Sequence, residues 1–396
     1  MKHSTKKILE YFSRTTEDVY SQKELEALLE SGKKIRIKFG FDITAPFLHI
    51  GHGVSLWMIR YLQEQGHKAV LLAGDFTTSI GDPTGEDKTR PVISEEVIQA
   101  NAEKYLEQVK MILLDDPEVF ELHWNSDWYS KMPLSFFINL LSKVTHANLI
   151  SRDMFRERIK NSNEIHMHEM LYPILQGYDS VELKSDLTII GSDQLFNENM
   201  GRLYQEKSNQ KPQVIITVKL LPGLDGQGKM SKSKNNYIGL GHSSRDKFGL
   251  TMTLPDNLIV DYLRIYTDVP LDEIEKMKEV VVENPIQAKK FLASKIVERY
   301  HGVDIAEEEQ AWFEETFSSK KAPTDIPNIE IKDGLTYFNV LQEFYGDAES
   351  NSNIRRLFEQ GAVSVNEEKK KEHNEIYKKK LGDVFRVGKR TWFKVK

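Results

Sequence analysis

Two apolar stretches rich in β-branched and aromatic residues flank a segment with helical periodicity early in the chain. The stretches are IRIKFGFDI (35–43) and KAVLLAGDF (68–76), and GVSLWMIRYLQEQGH (53–67) lies between them. Apolar residues recur at helical spacing in that middle segment. Strand, helix and strand in so short a span are typical of a βαβ unit, whose two strands are parallel. The pattern therefore predicts an α/β fold with a parallel sheet.

Further runs predict the rest of a first domain, residues 1–239. Three apolar runs predict additional strands: VFELHW (119–124), SDLTIIG (185–191) and QVIITVKLL (213–221). Residues 93–114 and 133–150 have helical spacing, and we expect them to form a connective insertion near 93–170 between the halves of the sheet.

The pattern changes in the second half of the chain. Residues 240–318 show a succession of helical segments with Pro, Asp, Asn and Ser at their starts, which predicts an α-helical domain. The stretch SSKKAPTDIPN is charged, contains proline and lacks periodicity, so residues 319–332 are predicted to be a linker. Residues 333–396 are predicted to form a small α+β module.

Composition narrows the class of protein. The 396 residues are 39% hydrophobic and 29% charged, as in ordinary globular proteins, and no apolar run reaches membrane-spanning length. The first residues, MKHSTKKILEYF, lack the features of an export signal. The chain has no cysteine, which excludes disulfides, thiolate zinc sites and cysteine nucleophiles. These features predict a cytoplasmic protein without a membrane partner.

Charge is unevenly distributed. The net charge is −6, yet residues 351–396 hold 13 Lys and Arg against 6 Asp and Glu. An acidic body with a basic C-terminal segment favours an appended unit that contacts phosphates. A merely solvated, charge-rich segment explains the same counts equally well.

The sequence HIGH at residues 49–52 follows the first predicted strand. Parallel α/β sheets bind ligands beyond the carboxyl ends of their strands, and a helix that starts there directs backbone N–H groups at phosphates. Gly51 would let a flat ligand approach the backbone, and His49 and His52 would donate hydrogen bonds to phosphate oxygens. Two ordinary surface or core histidines are the alternative, which the strand–helix junction disfavours.

A second motif lies in GLDGQGKMSKSKNNYIG (223–239). Three glycines make this segment flexible, and Lys229, Lys232 and Lys234 make it basic. A mobile basic loop that closes over a polyphosphate can stabilise charge that develops in a transition state. A solvated lysine-rich loop is the alternative, and the segment lacks the Walker A pattern.

HIGH followed by KMSKS at 229–233 resembles the class I aminoacyl-tRNA synthetases. Two other segments are similar to tyrosyl-tRNA synthetases of the shorter bacterial subgroup: GDFTTSIGDPTG (74–85) and LYPILQGYDSVELKSDLTIIGSDQLFNENMGR (171–202). The C-terminal segment resembles the small RNA-binding module of ribosomal and pseudouridine-synthase proteins. The resemblance implies a Rossmann-like nucleotide-binding catalytic domain, an α-helical anticodon-side domain and an RNA-binding module.

The resemblance also implies a reaction and its partners. Tyrosine would be activated by ATP to a tyrosyl adenylate and then transferred to tRNA(Tyr), with release of pyrophosphate and AMP. ATP would be a substrate that carries Mg²⁺ held mainly by phosphates and water, and no structural metal is expected. A homodimer would form through the insertion, around residues 125–170, where LSFFINLLSKVTHANLI is apolar enough to serve.

Residue roles follow from the same resemblance. The catalytic residues it implies are Thr44, His49, His52, Lys229, Lys232 and Arg90. The residues implied for ATP binding are Gly40, Asp42, Gly51, Gly191, Asp193, Met230 and Ser231. The residues implied for RNA binding are Arg355, Arg356, Lys389 and Arg390.

Tyr172, Gln176 and Asp179 are spaced by four and three residues, so they share one face of a helix. A solvated polar face fits that spacing equally well. The resemblance implies that Tyr172, Gln176 and Asp82 receive the substrate ammonium, while Asp179 accepts from its phenolic hydroxyl. Gln194 would lie near the substrate carboxylate. Without a hydroxyl to bond, a buried Asp179 carboxylate would be left unpaired, which disfavours phenylalanine.

Some positions depart from the family pattern. Lys38 stands where longer members have a tyrosine, and Glu86 stands at a position that is often basic, so Lys88 or Arg90 would supply that charge. A tyrosine analogue as substrate, a tryptophan ligase, a small-molecule nucleotidyltransferase and a non-catalytic RNA-binding protein remain alternatives. His166 and His168 have the spacing of a strand and no third ligand, which predicts no metal site.

Overall fold

The computed structural model describes residues 3–44, 47–82, 94–231, 234–318, 326–346, 349–388 and 391–396. Arg90, Lys232, Lys389 and Arg390 therefore lie outside the described residues, as do Glu86 and Lys88. The chain divides into two compact units, Met1–Ala306 and Glu307–Lys396.

The first unit is built on a six-stranded sheet. Its strands are β1 (Thr16–Tyr20), β2 (Arg36–Asp42), β3 (Lys68–Gly74), β4 (Phe120–Trp124), β5 (Leu187–Gly191) and β6 (Val214–Val218). Their order is β1-β6-β5-β2-β3-β4, and every neighbouring pair is parallel except β1 with β6. The five predicted strands and the α/β class are confirmed. β4 falls within the segment 93–170, so that segment also supplies an edge of the sheet.

Helices cover both faces of this sheet. The first ten are α1 (Thr5–Ser13), α2 (Gln22–Glu30), α3 (Ile50–Glu64), α4 (Asp75–Thr78), α5 (Glu95–Lys110), α6 (Ser126–Tyr129), α7 (Leu134–Ser142), α8 (His146–Leu149), α9 (Asp153–Lys160) and α10 (Met167–Glu182). A 3₁₀ turn, Ser192–Gln194, leads into α11 (Leu195–Lys207). Ile37 and Phe39 of β2 pack with Ile59 of α3 in one core, and α10 and α11 form a second core with Ile174 and Tyr204.

The predicted succession of helices follows. It consists of α12 (Ser244–Thr251), a 3₁₀ turn (Asp256–Leu258), α13 (Ile259–Tyr266), α14 (Leu271–Glu283), α15 (Pro285–His301), α16 (Val303–Phe313) and a π turn (Glu314–Ser318). The start signals act as expected: Ser243 accepts from the Asp246 N–H, and Asn284 accepts from the Gln287 N–H before a helix with Pro285 in its first turn. No helix in the described part of the chain is both long and apolar enough to cross a membrane.

The second unit carries a five-stranded sheet with its own core. Its elements are β7 (Asn328–Ile329), α17 (Tyr337–Tyr345), α18 (Asn351–Glu359), β8 (Val363–Val365), β9 (Glu368–Lys370), β10 (Val384–Val387) and β11 (Thr391–Val395). The strand order is β7-β11-β10-β8-β9. Val340 of α17 and Phe358 of α18 pack against Phe385 and Phe393 of the sheet.

The strand-like spacing of His166 and His168 does not reflect a strand. His166 is the N-cap of α10 and His168 lies in its first turn. The reason is a reciprocal cap: the buried Glu169 accepts from the His166 N–H at 2.8 Å while it pairs with Arg158, also at 2.8 Å. Among the described residues, no group of three or more His, Cys, Asp or Glu could hold a metal ion.

Candidate active site

A cavity of about 750 Å³ opens at the carboxyl ends of four neighbouring strands. The last residues of β6, β5, β2 and β3 all line it: Val218, Gly191, Asp42 and Gly74. β2 lies between β3 and β5 in the sheet, and such a central position is where α/β folds leave a crevice for ligands.

Every predicted catalytic, ATP-binding or tyrosine-binding residue within the described part of the chain lines this one cavity. They are Gly40, Asp42, Thr44, His49, Gly51, His52, Asp82, Tyr172, Gln176, Asp179, Gly191, Asp193, Gln194, Lys229, Met230 and Ser231. They come from segments as far apart in sequence as β2 and the loop after β6.

His49 and His52 form the N-terminal cap of α3. The His49 Nδ1 accepts from the Gly51 N–H at 3.2 Å, and the His52 Nδ1 accepts from the His49 N–H at 3.3 Å. Burial lowers the pKa of His49 to about 2, with the charges of His52 and Lys229 adding to the effect. Burial likewise lowers the pKa of His52 to about 4. Both rings are therefore neutral, and since each Nδ1 accepts, each Nε2 carries the proton and can donate.

Gly51 leaves room for the His49 ring in this cap. A Cβ atom at residue 51 would lie 2.8 Å from the His49 Nδ1 and 2.9 Å from its Cε1, closer than side chains tolerate. The absence of a side chain thus serves the His49 ring itself, as well as any ligand that approaches the backbone.

The residues that follow KMSKS, 238–240, are joined to the start of α3 by backbone hydrogen bonds. The Ile50 N–H donates to the Ile238 carbonyl at 2.9 Å, and the Leu240 N–H donates to the Leu48 carbonyl at 2.8 Å. His49 and Gly239 form an isolated antiparallel bridge. The two motifs are therefore parts of one structure, although residues 49–52 and 229–233 are distant in sequence.

Lys229 reaches across the cavity mouth to a carboxylate. Its Nζ lies 2.5 Å from Asp193 Oδ2, and the side chains are 65% and 32% exposed. Because the pair is solvated, it is weak, and a phosphate could draw the ammonium away from Asp193.

The polar residues of α10 face inward. Asp179 is 3% exposed and Tyr172 6%, so the expected shared face is buried rather than solvated at these positions. Tyr172 donates its phenolic proton to Asp42 Oδ2 at 3.0 Å, and Asp179 Oδ1 accepts from Trp128 Nε1 at 3.0 Å. Burial raises the pKa of Asp179 to about 7, against the opposing influence of Tyr129, Lys38 and other nearby groups.

A chain of amides connects the two sides of this pocket. Gln194 Nε2 donates to Asp82 Oδ2 at 2.7 Å, and Asn197 Nδ2 donates to both Gln194 Oε1 at 3.1 Å and Gln176 Oε1 at 2.8 Å. Gln176 Nε2 in turn donates to Glu198 Oε1 at 2.8 Å.

Glu198 and Asn125 line the cavity and Trp128 lies beside it, and none of the three was predicted from the sequence. Glu198 and Lys38 form a buried pair, and Trp128 and Asn125 border Asp179. A lysine in the middle of an apolar strand is a usable signal, because such a charge must find a partner. Trp128 and Asn125 carry no comparable signal, since they lie near Asp179 only after the chain has folded.

The described RNA-binding candidates lie in the second unit, on the exposed side of α18. The Arg355 guanidinium stands 5.3 Å from the centre of the Phe338 ring, and Arg356 Nη2 donates to Asn353 Oδ1 at 2.7 Å. Both arginines remain exposed.

Comparison with known proteins identifies the family. The model of the family described as tRNA synthetases class I (W and Y) matches residues 30–318. The tyrosine–tRNA ligase of Idiomarina loihiensis is 42% identical over 400 residues, which cover 100% of this chain and 99% of that protein. The tyrosine–tRNA ligase of Francisella tularensis is 41% identical over 394 residues, with 99% of each chain covered.

A solved structure supports the same fold. A C-terminally truncated mitochondrial tyrosyl-tRNA synthetase of Aspergillus nidulans matches with a TM-score of 0.64 and 23% identity, over 78% of this chain and 94% of that one. The expected resemblance is thus confirmed over nearly the full length, and the chain belongs to the tyrosine–tRNA ligase family of class I tRNA synthetases.

Proposed function

We propose that the protein activates tyrosine with ATP and transfers it to tRNA(Tyr). The observation that carries this proposal is the single cavity in which the capped start of α3, the KMSKS segment and the buried face of α10 meet. A nucleotide and an amino acid that occupy the two ends of this cavity would meet at the carboxyl end of β2.

In the proposed first step, a carboxylate oxygen of tyrosine attacks the α-phosphorus of ATP. A new P–O bond forms, the bond to the bridging oxygen breaks, and pyrophosphate leaves with the electron pair. The Nε2–H groups of His49 and His52 would donate to phosphate oxygens, together with Thr44. The Lys229 ammonium would leave Asp193 and pair with the departing pyrophosphate. Stabilisation of the developing negative charge in this way would account for most of the acceleration of the reaction. Lys232 and Arg90 remain proposed partners of the same phosphates.

The nucleotide would lie against the open carboxyl ends of the strands. Asp193 would bind the ribose of ATP, and the remaining proposed contacts line the crevice around it: Gly40, Asp42, Gly51, Gly191, Met230 and Ser231. Mg²⁺ would enter with ATP and offset the phosphate charge, held by phosphates and water, so it requires no cage of protein carboxylates.

Tyrosine would bind along α10. Its ammonium would lie among Tyr172, Gln176 and Asp82, its carboxylate near Gln194, and its hydroxyl would donate to Asp179. Because Tyr172 gives its own proton to Asp42, its oxygen lone pairs are left to accept from the ammonium. The alternatives of a tryptophan ligase and a small-molecule nucleotidyltransferase are less favoured, because a buried carboxylate suits a phenol and the full-length relatives are tyrosine–tRNA ligases.

In the proposed second step, the tyrosyl group passes to the terminal adenosine of the tRNA, and AMP leaves. Arg355, Arg356, Lys389 and Arg390 would contact phosphates of the tRNA through the module 333–396. The helical domain 240–318 would lie on the anticodon side. The proposed location is the cytoplasm.

A homodimer is also proposed, through α7. Leu134 is 72% exposed and Ile138 56%, and their spacing of four residues places both on one side of this short helix. Burial of these side chains against a second copy would be favourable.

Charging of tRNA with radioactive tyrosine tests the whole proposal. The purified protein, ATP, Mg²⁺ and bacterial tRNA should give acid-precipitable tyrosyl-tRNA. Adenylate formation without transfer would contradict the role of the C-terminal module, and no tyrosine incorporation at all would refute the proposed function.

A further inference from the structure

Lys38 and Glu198 form an ion pair at the floor of the cavity. The Lys38 Nζ lies 2.7 Å from Glu198 Oε2, and both side chains are only 2% exposed. Lys38 also donates to Ser180 Oγ at 2.7 Å. Two charges removed from water cost free energy that their attraction regains only with good geometry and further hydrogen bonds. A buried ion pair beside the cavity is therefore expected to have a role other than stabilising the fold.

Two glycines let α10, which carries Gln176, and α11, which carries Glu198, approach each other. A Cβ at Gly177 of α10 would lie 2.9 Å from the backbone of Met200, and a Cβ at Gly201 of α11 would lie 2.6 Å from Ser180 Oγ. The close crossing of α10 and α11 brings the Glu198 carboxylate directly behind Gln176.

Glu198 receives three donors in a defined arrangement. Oε2 accepts from Lys38 Nζ and from Gln213 Nε2, each at 2.7 Å, and Oε1 accepts from Gln176 Nε2 at 2.8 Å. A carboxylate can only accept, so Gln176 must turn its NH₂ group toward Glu198. Its carbonyl oxygen then points the other way, where Asn197 uses one of its two lone pairs.

The amides beyond Gln176 are oriented consistently. Asn197 directs its NH₂ group at the oxygens of both Gln176 and Gln194, and Gln194 directs its own NH₂ group at Asp82. These three amides form a hydrogen-bonded series between two carboxylates, Glu198 and Asp82. Because a carboxylate only accepts hydrogen bonds, the two ends fix the orientation of every amide between them.

We propose that the Lys38–Glu198 pair is a positioning unit that holds the Gln176 carbonyl oxygen toward the ammonium of the bound amino acid. The inference rests on the proposed tyrosine site. Lys38 supplies the opposite charge with which Glu198 pairs away from water, and Glu198 orients the Gln176 amide. If the Gln176 amide were rotated by 180°, its NH₂ protons instead of its oxygen would face the ammonium, which they would repel. The pair thus favours ligands with an α-ammonium group, because it orients the Gln176 amide that contacts this group.

Glu198→Gln is the informative substitution. Lys38 and Gln213 both donate to the position of Oε2, so the new amide must keep its oxygen there and place its NH₂ group at the position of Oε1. Gln176 would then have to turn over. The double variant Lys38→Met with Glu198→Gln removes both buried charges together, which folded proteins tolerate better than one unpaired charge. Gln213 still favours the same amide orientation in that variant. Glu206→Gln, on the exposed side of the same helix, is the matched control.

Calorimetric titration without ATP would compare three ligands: tyrosine, tyramine, and 3-(4-hydroxyphenyl)propionate, which lacks the ammonium. Glu198→Gln should bind tyrosine and tyramine about tenfold more weakly or worse, while its binding of the propionate changes by less than about threefold. The double variant also removes the Lys38 charge that acts on Asp179, so its binding of tyrosine and tyramine should fall about tenfold more than its binding of the propionate. Glu206→Gln should bind all three as the unmodified protein does. Equal losses for all three ligands in the Glu198 variants, or no loss for any, would overturn the inference. Failure of the unmodified protein to bind tyrosine would instead refute the proposed function.

Discussion

The rings of His49 and His52 lie with their centres 3.9 Å apart, and each turns its Nδ1 toward a backbone N–H at the start of α3. The Nδ1 contacts leave the protons on Nε2, and the lowered pKa values keep both rings neutral. The pair is therefore suited to donate hydrogen bonds rather than to transfer protons. Each ring thus uses one nitrogen for the cap, and in the proposed mechanism the other nitrogen donates to the ligand.

Substitutions of His49 should distinguish its role in the cap of α3 from its proposed role as a hydrogen-bond donor to ATP. His49→Ala should slow tyrosine-dependent ATP–pyrophosphate exchange about 100-fold or more in kcat, the loss expected when a donor to a transition state is removed. The KM for tyrosine should change little, because tyrosine is proposed to bind along α10. His49→Asn is the control, since asparagine is a good N-cap but is too short to replace the Nε2 donor. Full activity in the asparagine variant would assign His49 to capping alone.

Gly51→Ala should disturb the same ring by another route. The added methyl group would lie 2.8 Å from the His49 Nδ1, so the ring must move and its Nε2 with it. We expect a fall in kcat that approaches that of His49→Ala, measured by the same exchange assay. Gly249→Ala in α12 is the matched control, because no atom lies within 4 Å of the new methyl group. It should leave activity unchanged and stabilise the helix by about 0.5–1 kcal/mol. Normal kcat in Gly51→Ala would contradict the proposed role of the cap.

Tyrosine binding should depend on pH through Asp179. Burial raises the pKa of this carboxyl from 3.8 to about 7, so in the free protein the acceptor form gains population as pH rises through that value. The KM for tyrosine should therefore fall between about pH 6 and about pH 8, where a carboxyl with an ordinary pKa would not titrate. Asp179→Asn should remove this dependence and weaken tyrosine binding about tenfold or more. A pH dependence that persists in the asparagine variant would assign it to another group.

The C-terminal unit should act on tRNA and not on adenylate formation. Arg355 and Arg356 are exposed on α18, and removal of both charges should raise the KM for tRNA in the charging assay and reduce its dependence on salt. Tyrosine-dependent exchange without tRNA should stay unchanged, because neither residue lines the cavity. An equal loss in both assays would mean that the two arginines support the fold of their unit.

The sequence predicted the fold where burial leaves a clear pattern. β2, β3, β5 and β6 lie inside the sheet and read as apolar runs, and the edge strand β4 is still predicted from VFELHW. β1, with the sequence TEDVY, is a half-exposed edge strand whose polar residues conceal the strand pattern. The site residues in HIGH and KMSKS were identified through the family resemblance. Lys38 signals the need for a buried partner, but Glu198 could not be predicted as that partner, because β2 and α11 are far apart in sequence and meet only in the folded chain. The spacing of His166 and His168 resembles that of a strand, but two residues separated by one position occur equally well at the start of a helix.

The most direct test of the account is ATP–pyrophosphate exchange measured with each amino acid separately, and with phenylalanine and tyrosine analogues. The account predicts exchange with tyrosine and far weaker exchange with phenylalanine, because phenylalanine leaves the buried Asp179 carboxylate without its phenolic partner. Exchange that depends on tryptophan, or on no amino acid at all, would contradict the assignment of α10 as the tyrosine pocket.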